Sequence, residues 1–314
     1  MYYPYLRARQ FELISLRELV SENLIQNFVT PVFEPVKESF SNLNLAHKVF
    51  LENDFNAYLI VNPIHGEMPG DSITFLDYIN QLGDSKFLSA FHYNNNLEYI
   101  SQSLLKYGLS NCMIICLDNF SDNRDFRELC NNPAITHIML LDPNKYRSLD
   151  RFLKGLNKNY IRLDDVFERQ QKNADFLDIP AHKFTEEHLY YSEENYSGFS
   201  DYTVLTSEYI DGGSTPRAVV IHLTYINEAE EEQVWIRHFT STTNDTIANV
   251  QGKFAQAAQK AILFCEQNNF TNSAIIELAN YLNEGKYPGL GTVKKISIKN
   301  HLTIISNFLN TRNA

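Results

Sequence analysis

MYYPYLRARQFELISLREL, residues 1 to 19, decides the fold once it is read as a strand running into a helix. Tyr2 to Arg7 is aromatic and extended, and Pro4 is tolerated in a first strand. From Phe11 onward the apolar residues Leu13, Leu16, Val20 and Leu24 recur at helical spacing. Glu12, Leu13, Arg17 and Glu18 are good helix formers. A strand followed directly by a helix is half of a βαβ unit, so the fold turns on whether the unit repeats.

It does repeat, in pattern rather than in sequence. Short β-type runs follow at Val29–Val36, Ala57–Pro63, Lys86–Tyr93, Asn111–Asn119, Thr136–Pro143, Asn159–Asp165 and Asp201–Tyr209. Helical sequence lies between them, including a stretch near Val166–Ala174. Strands alternating with helices imply a parallel sheet, and right-handed crossovers leave an open doubly wound sheet or a closed barrel. The runs are almost continuously apolar, as strands covered on both faces should be. Eight of them favour a (β/α)8 TIM-like barrel over residues 1–210. An open dinucleotide-binding sheet would want a glycine-rich first turn, and the turn here reads RARQ, so no nucleotide cofactor is expected.

After residue 210 the pattern changes. Arg217–Ile226 and Gln233–Ser241 read as a hairpin joined by the acidic NEAEEE stretch. Helices are expected near Thr246–Gln267, Asn272–Asn283 and Lys299–Leu309. Residues 211–314 are thus read as a hairpin and helices packed on the barrel and completing it. His222 and His238 fall in the two arms of the hairpin, where they can face each other. GLGTVKK (Gly289–Lys295) loosely resembles a phosphate-cradling turn but lacks the Walker spacing, and Lys294, Lys295 and Lys299 form a basic spot.

Composition narrows the function classes. A net charge of −11 is wrong for a general duplex-binding surface, which displaces counterions with a basic field. Contact with nucleic acid would need a local patch. The four cysteines form no CxxC pair, which excludes a disulfide framework or zinc ribbon and fits a reducing cytoplasm. No apolar run approaches the length needed to span a bilayer, and no secretory leader pattern opens the sequence.

A barrel presents its reactive groups at the C-terminal ends of its strands. Those ends carry Arg7 and Gln10, Glu34, Asn62 with His65 just beyond, His92, Asp118, Asp142, Asp164 and Glu208. Strand ends face water, and Asp and Asn also cap helices there. Yet a ring of carboxylates with an imidazole and a guanidinium is what a polar ligand or a divalent cation such as Mg²⁺ or Mn²⁺ would take. Glu34 stands out: in FEP it lies between an apolar strand and a proline, where no helix cap is needed.

YPYLRARQFELISLREL followed by TPVFEPVK resembles the start of the beta protein family of phages and bacteria, in particular a bacterial branch sometimes encoded near defence genes. GFSDYT (Gly198–Thr203), AVVIHLTY and PGLGTVKKISIKNH are also similar to segments of that branch. The resemblance implies a barrel-like fold and a role in phage–host conflict, with Arg7, Gln10, Glu34, Asp201 and Tyr202 as the motif positions. It also implies an operon-encoded protein partner or a phage component as a binding partner. Asp201 conflicts with the strand assignment above, because it would begin the eighth strand, at the end opposite Glu34.

Two classes of function follow. One is a metal-assisted hydrolase of nucleic-acid or nucleotide phosphoesters. Asp118, Asp142 and Asp164 would join Glu34 at the metal, His92 would be the acid or base, and Arg7 would neutralise phosphate charge. The other is a non-catalytic sensor or partner subunit of a defence operon, with the barrel as scaffold. Paired carboxylates also serve glycosidases, but no sugar-stacking aromatics are grouped at the strand ends.

Overall fold

The computed structural model describes residues 1–25, 27–212 and 217–313. The chain divides into two compact units. The first holds Met1–Leu13, Gln26–Asp165 and Glu187–Tyr202. It is an α/β barrel of the (β/α)8 type. Its parallel strands are β1 (Tyr5–Leu6), β2 (Val32–Phe33), β3 (Ala57–Ile60), β4 (Phe87–His92), β5 (Cys112–Cys116), β6 (Ile135–Leu141) and β7 (Asn159–Asp164). After β8 (Ala181–Thr185), which belongs to the second unit, β9 (Gly198–Asp201) is the eighth barrel strand and pairs with β7. The circle nearly closes through Tyr2, which bridges Val29 on one side and Phe199 on the other. Tyr3 N–H donates to the Phe199 carbonyl at 2.9 Å, and Phe199 N–H to the Met1 carbonyl at 3.1 Å. Gly198 permits this approach, since a Cβ there would fall 2.6 Å from the Tyr3 ring.

The helices between the strands are α1 (Gln10–Ser21), α2 (Ser41–Glu52), α3 (Thr74–Gln81), α4 (Leu97–Tyr107), α5 (Arg124–Asn131), α6 (Arg147–Lys154) and the short α7 (Glu187–Tyr190). Side chains alternate across a strand, and the alternation decides what reaches the barrel axis. Tyr3 and Tyr5, Val32, Tyr58 and Ile60, Ala90, Met113 and Ile115, Met139, Ile161 and Leu163, and Tyr202 form one buried cluster. The phenols carry hydroxyls into this core and each needs a partner. Tyr58 finds one in His137 Nδ1 at 2.8 Å, and burial holds the His137 ring down at about 4.

The second unit holds Ile14–Ile25, Val166–Glu186 and Thr203–Ala314. Its sheet runs β10 (Val220–Asn227), β11 (Gln233–Thr240), β8, all antiparallel. Val219, Ile221, Leu223 and Phe239 pack with Phe254, Ala257 and Ala261 of α8 (Val250–Gln267) and Leu278 of α9 (Ser273–Asn283). The last helix, α10 (Leu290–Asn313), buries Lys295 and Lys299. Both ammonium groups are held by carboxylates. Lys295 Nζ is 2.8 Å from Glu18 and 2.7 Å from Glu277, and Lys299 Nζ is 2.7 Å from Glu18.

The structure corrects the sequence reading in four places. The eighth strand is Gly198–Asp201 rather than Asp201–Tyr209, and residues 203–209 are turn and coil. The segment near Val166–Ala174 forms no α-helix; a 3₁₀ turn at Asn173–Leu177 leads into β8, which extends the hairpin to three strands. GLGTVKK is largely taken up by the last helix, which begins at Leu290, and the Lys295 ammonium is paired with Glu18 and Glu277 rather than open to a phosphate. The second unit also takes in Ile14–Ile25, Val166–Glu186 and residues from Thr203, all outside the expected 211–314.

Candidate functional site

Alternation carries Arg7, Glu34, Asn62 and His92 inward at the C-terminal ends of β1 to β4, each two residues beyond a core residue of its own strand. All four are buried. Glu34 is fully buried, and its two oxygens are surrounded by donors. Oε1 accepts from Ile64 N–H at 2.9 Å and His65 N–H at 3.0 Å, with His65 Nδ1 at 3.1 Å. Oε2 accepts from the Tyr5 hydroxyl at 2.8 Å and from an Arg7 guanidinium nitrogen. Burial alone would raise the Glu34 carboxyl. The His65 hydrogen bond, with the neighbouring His92 and Arg7, outweighs it and holds the group well below the usual carboxylate range. An ionised carboxylate only accepts, so the His65 nitrogen facing it, Nδ1, carries the proton.

The neighbours are fixed in turn. Arg7 lies over the Tyr5 ring at 5.2 Å and the Tyr202 ring at 5.6 Å. Its N–H donates to Glu12 at 2.7 Å, the first acidic residue of α1. The Tyr5 hydroxyl also meets His92 Nε2 at 3.0 Å. Since Tyr5 donates to Glu34, that contact makes His92 Nε2 the donor to the phenol oxygen. Burial holds the His92 imidazole down at about 4 against the pull of Glu34, so the ring is neutral at pH 7. Asn62 spans the gap between β3 and β4. Its Oδ1 accepts from His92 N–H at 2.9 Å and its Nδ2 donates to the His92 carbonyl at 2.9 Å. Asp71 accepts from both Asn62 (2.9 Å) and Asn96 (2.7 Å), which ties down the loop between β3 and α3.

His65 sits on that loop, and its side chain is 30% exposed while Glu34 beneath it is sealed. It is the group of this cluster that both contacts the buried carboxylate and reaches solvent. Sequence pattern alone places His65 beyond Asn62 and assigns a role neither to it nor to Tyr5. Arg7, Glu34, Asn62, His92 and Tyr202 converge.

The remaining expected residues do not join them. Asp164 lies one residue beyond the inward-facing Leu163, so its alternation points away from the axis, while Asp142 leaves the strand in the left-handed region at the start of a 3₁₀ turn. Asp142 pairs with Lys145 at 3.2 Å. Asp164 pairs with Arg162 at 2.6 Å, and burial raises its carboxyl despite that cation. Asp118 is exposed on the turn after β5. Gln10 is exposed at the start of α1. Glu208 is exposed in the second unit, where it pairs with Arg169, because the eighth strand ends at Asp201. Asp201 lies beside Asp164, at the same end as Glu34, which resolves the conflict in its placement. It faces outward, and the Tyr2 hydroxyl donates to it at 2.6 Å.

The expected Mg²⁺ or Mn²⁺ set does not fit these positions. Glu34 has donors on both oxygens, and among the described residues no three His, Cys, Asp or Glu side chains are grouped to hold an ion. His92, expected as the acid or base, is buried, neutral at pH 7 and bonded to Tyr5. No described helix is long and apolar enough to cross a membrane. No family model, curated protein or solved structure matches the chain.

Proposed function

We propose that the mouth of the barrel is an acid–base centre that hydrolyses a small phosphoester without a metal ligand set. The observation that supports this reading most is the Glu34–His65 contact: a sealed, ionised carboxylate holding Nδ1 of a part-exposed imidazole at 3.1 Å. That arrangement leaves Nε2 as the basic nitrogen and stabilises the imidazolium once it forms. His65 takes a proton from the attacking water as the new P–O bond forms. The leaving oxygen, on the far side of the phosphorus, takes a proton from solvent water as the old P–O bond breaks, and His65 then gives its proton back to solvent. Arg7 supports charge on the phosphoryl oxygens. The net charge of −11 argues for a small ester over a long nucleic acid.

His65→Asn tests the reading. The side chain is partly exposed but bonds the sealed Glu34, and asparagine keeps an N–H donor for that contact, so the variant should lose no more than about 1–2 kcal/mol. Hydrolysis of a panel of aryl and alkyl phosphomonoesters and diesters should fall by at least roughly a hundredfold, the scale of a lost general base. Equal rates for parent and variant, or no turnover by the parent across the panel, would favour the scaffold reading, in which the same cluster only closes the barrel end.

A further inference from the structure

The sheet of the second unit gathers three histidines on one face. His222 and His238 are directly opposed across β10 and β11, with their Nδ1 atoms 2.6 Å apart. His182 on β8 pairs with Ile236, and its ring centroid is 5.1 Å from that of His238. Phe176 covers both hairpin histidines, at 4.8 Å from His222 and 4.4 Å from His238, and Phe167 stands 5.2 Å from His222. The apolar core residues Ile221, Leu223 and Phe239 have the opposite alternation, so the histidine face is separate from that core.

Two Nδ1 atoms this close share one proton, one donating to the lone pair of the other. A further proton would put a cation between two phenylalanine rings. The charged and titratable groups around the cluster offer it little. Glu168, in the segment after β7, acts on His182 alone. Asp175 of the 3₁₀ turn accepts from Lys172 N–H within its own turn. His301 of α10 meets Thr224 and Phe184, one step further along the strands. Among the described residues no carboxylate bonds any of the three rings. Burial first, and then the mutual proximity of the rings, holds His222 at about 3 and His238 at about 2.

The strand these rings hold is also the weak edge of the sheet. β8 is an edge strand, and its pairing with β11 shifts register between Val234 and Trp235. Edge strands with such irregularities open before the centre of a sheet does.

We propose that His182, His222 and His238 form an acid-operated latch: neutral, they hold β8 and the preceding Val166–Pro180 segment against the β10–β11 hairpin, and proton uptake releases that edge. Opening returns each imidazole to its ordinary pKa near 6.5. The open state therefore binds more protons, and opening becomes easier as pH falls below that value. Each histidine contributes up to about tenfold per pH unit to the opening equilibrium, so the three together should give a slope steeper than any one of them.

Trp235 is the single tryptophan, and it pairs with Lys183 across this edge. Amide hydrogen exchange from pH 7.5 to 4.5, corrected for intrinsic rates, should show the His182 amide of β8 and the His238 amide that bonds Pro180 losing protection at least tenfold per unit below pH 6. The β5 and β6 amides of the barrel should lose less, and Trp235 fluorescence should shift with the β8 amides. His222→Gln leaves His238 an acceptor and should reduce the slope by about tenfold per unit; His182→Gln, at a less buried position, is the second variant should the first fail to fold. Loss of β8 protection in step with the barrel, or no pH dependence in either variant's parent, overturns the latch. So does stoichiometric Zn²⁺ raising the melting temperature in a manner abolished by His182→Gln, which would make the cluster a metal site.

Discussion

Glu34→Gln should destabilise the protein by about 3–5 kcal/mol, the cost of breaking a buried ion pair from one side, and lower the melting temperature by roughly 10 °C. Size and shape are preserved in this substitution, so a purely steric role predicts almost no change. The donors around Glu34 predict otherwise. Tyr5, Arg7, Ile64 N–H, His65 N–H and His65 Nδ1 converge on its two oxygens. A glutamine offers one accepting oxygen and an NH₂ group. If the oxygen keeps the two backbone N–H groups, the NH₂ faces Arg7 and the Tyr5 hydroxyl, donor against donor. Arg7 is then a buried cation without its counter-ion. Adding Arg7→Met should recover part of the loss, and the coupling in that double-mutant cycle should exceed about 1 kcal/mol.

The acid limb of the stability curve checks the same point. The folded-state carboxyl lies below its ordinary range, so its contribution is present above about pH 4.3 and lost as pH falls below that. His92 works at higher pH: held at about 4 when folded, it lowers stability by about 1.4 kcal/mol per pH unit below roughly 6.5. Glu34→Gln should remove the lower limb and keep the upper one. A variant that melts with the parent at pH 7 would mean that Glu34 holds nothing in place.

The barrel was legible because its strands are apolar runs at regular spacing, and tertiary packing had no reason to override them. The eighth strand was misplaced for a physical reason. Gly198–Asp201 is four residues long, with one glycine and two polar residues, whereas the turn that follows contains Val204 and Leu205 and looks more strand-like. The site was half legible. The alternation that separates inward Glu34 and His92 from outward Asp164 is written in the sequence, but it can be used only once each strand's end is known to the residue. One slip inverts the answer. His65 obeys no such period, because it stands on a loop whose path depends on contacts that no repeat announces.

Those contacts make Gly66→Ala the most damaging single-methyl change expected near the site. Gly66 follows His65 directly and has φ of +94°, a conformation that costs an alanine of the order of 1–3 kcal/mol. Space is a second obstacle. A Cβ at Gly66 would fall 2.5 Å from the Val36 carbonyl oxygen, and the obstructing atoms belong to backbone, which cannot rotate aside. The Val36 segment is not free to retreat either: Glu67 N–H donates to the Val36 carbonyl at 3.2 Å, and Glu67 holds Lys37 at 2.8 Å and Glu38 N–H at 2.7 Å. The strain is therefore relieved by moving the 64–67 loop away from β2, which withdraws Ile64 N–H, His65 N–H and His65 Nδ1 from Glu34 together. On the proposed acid–base reading, Gly66→Ala should reduce phosphoester turnover about as severely as His65→Asn, and on any reading it should lower stability by at least about 2 kcal/mol. Gly70→Ala, on the same loop with φ of +101° and open space around its Cβ, is the control for backbone conformation alone. If Gly66→Ala and Gly70→Ala reduce activity equally, the contact with Val36 is not what places His65, and the loop must be held over Glu34 by its ties to Asp71 instead.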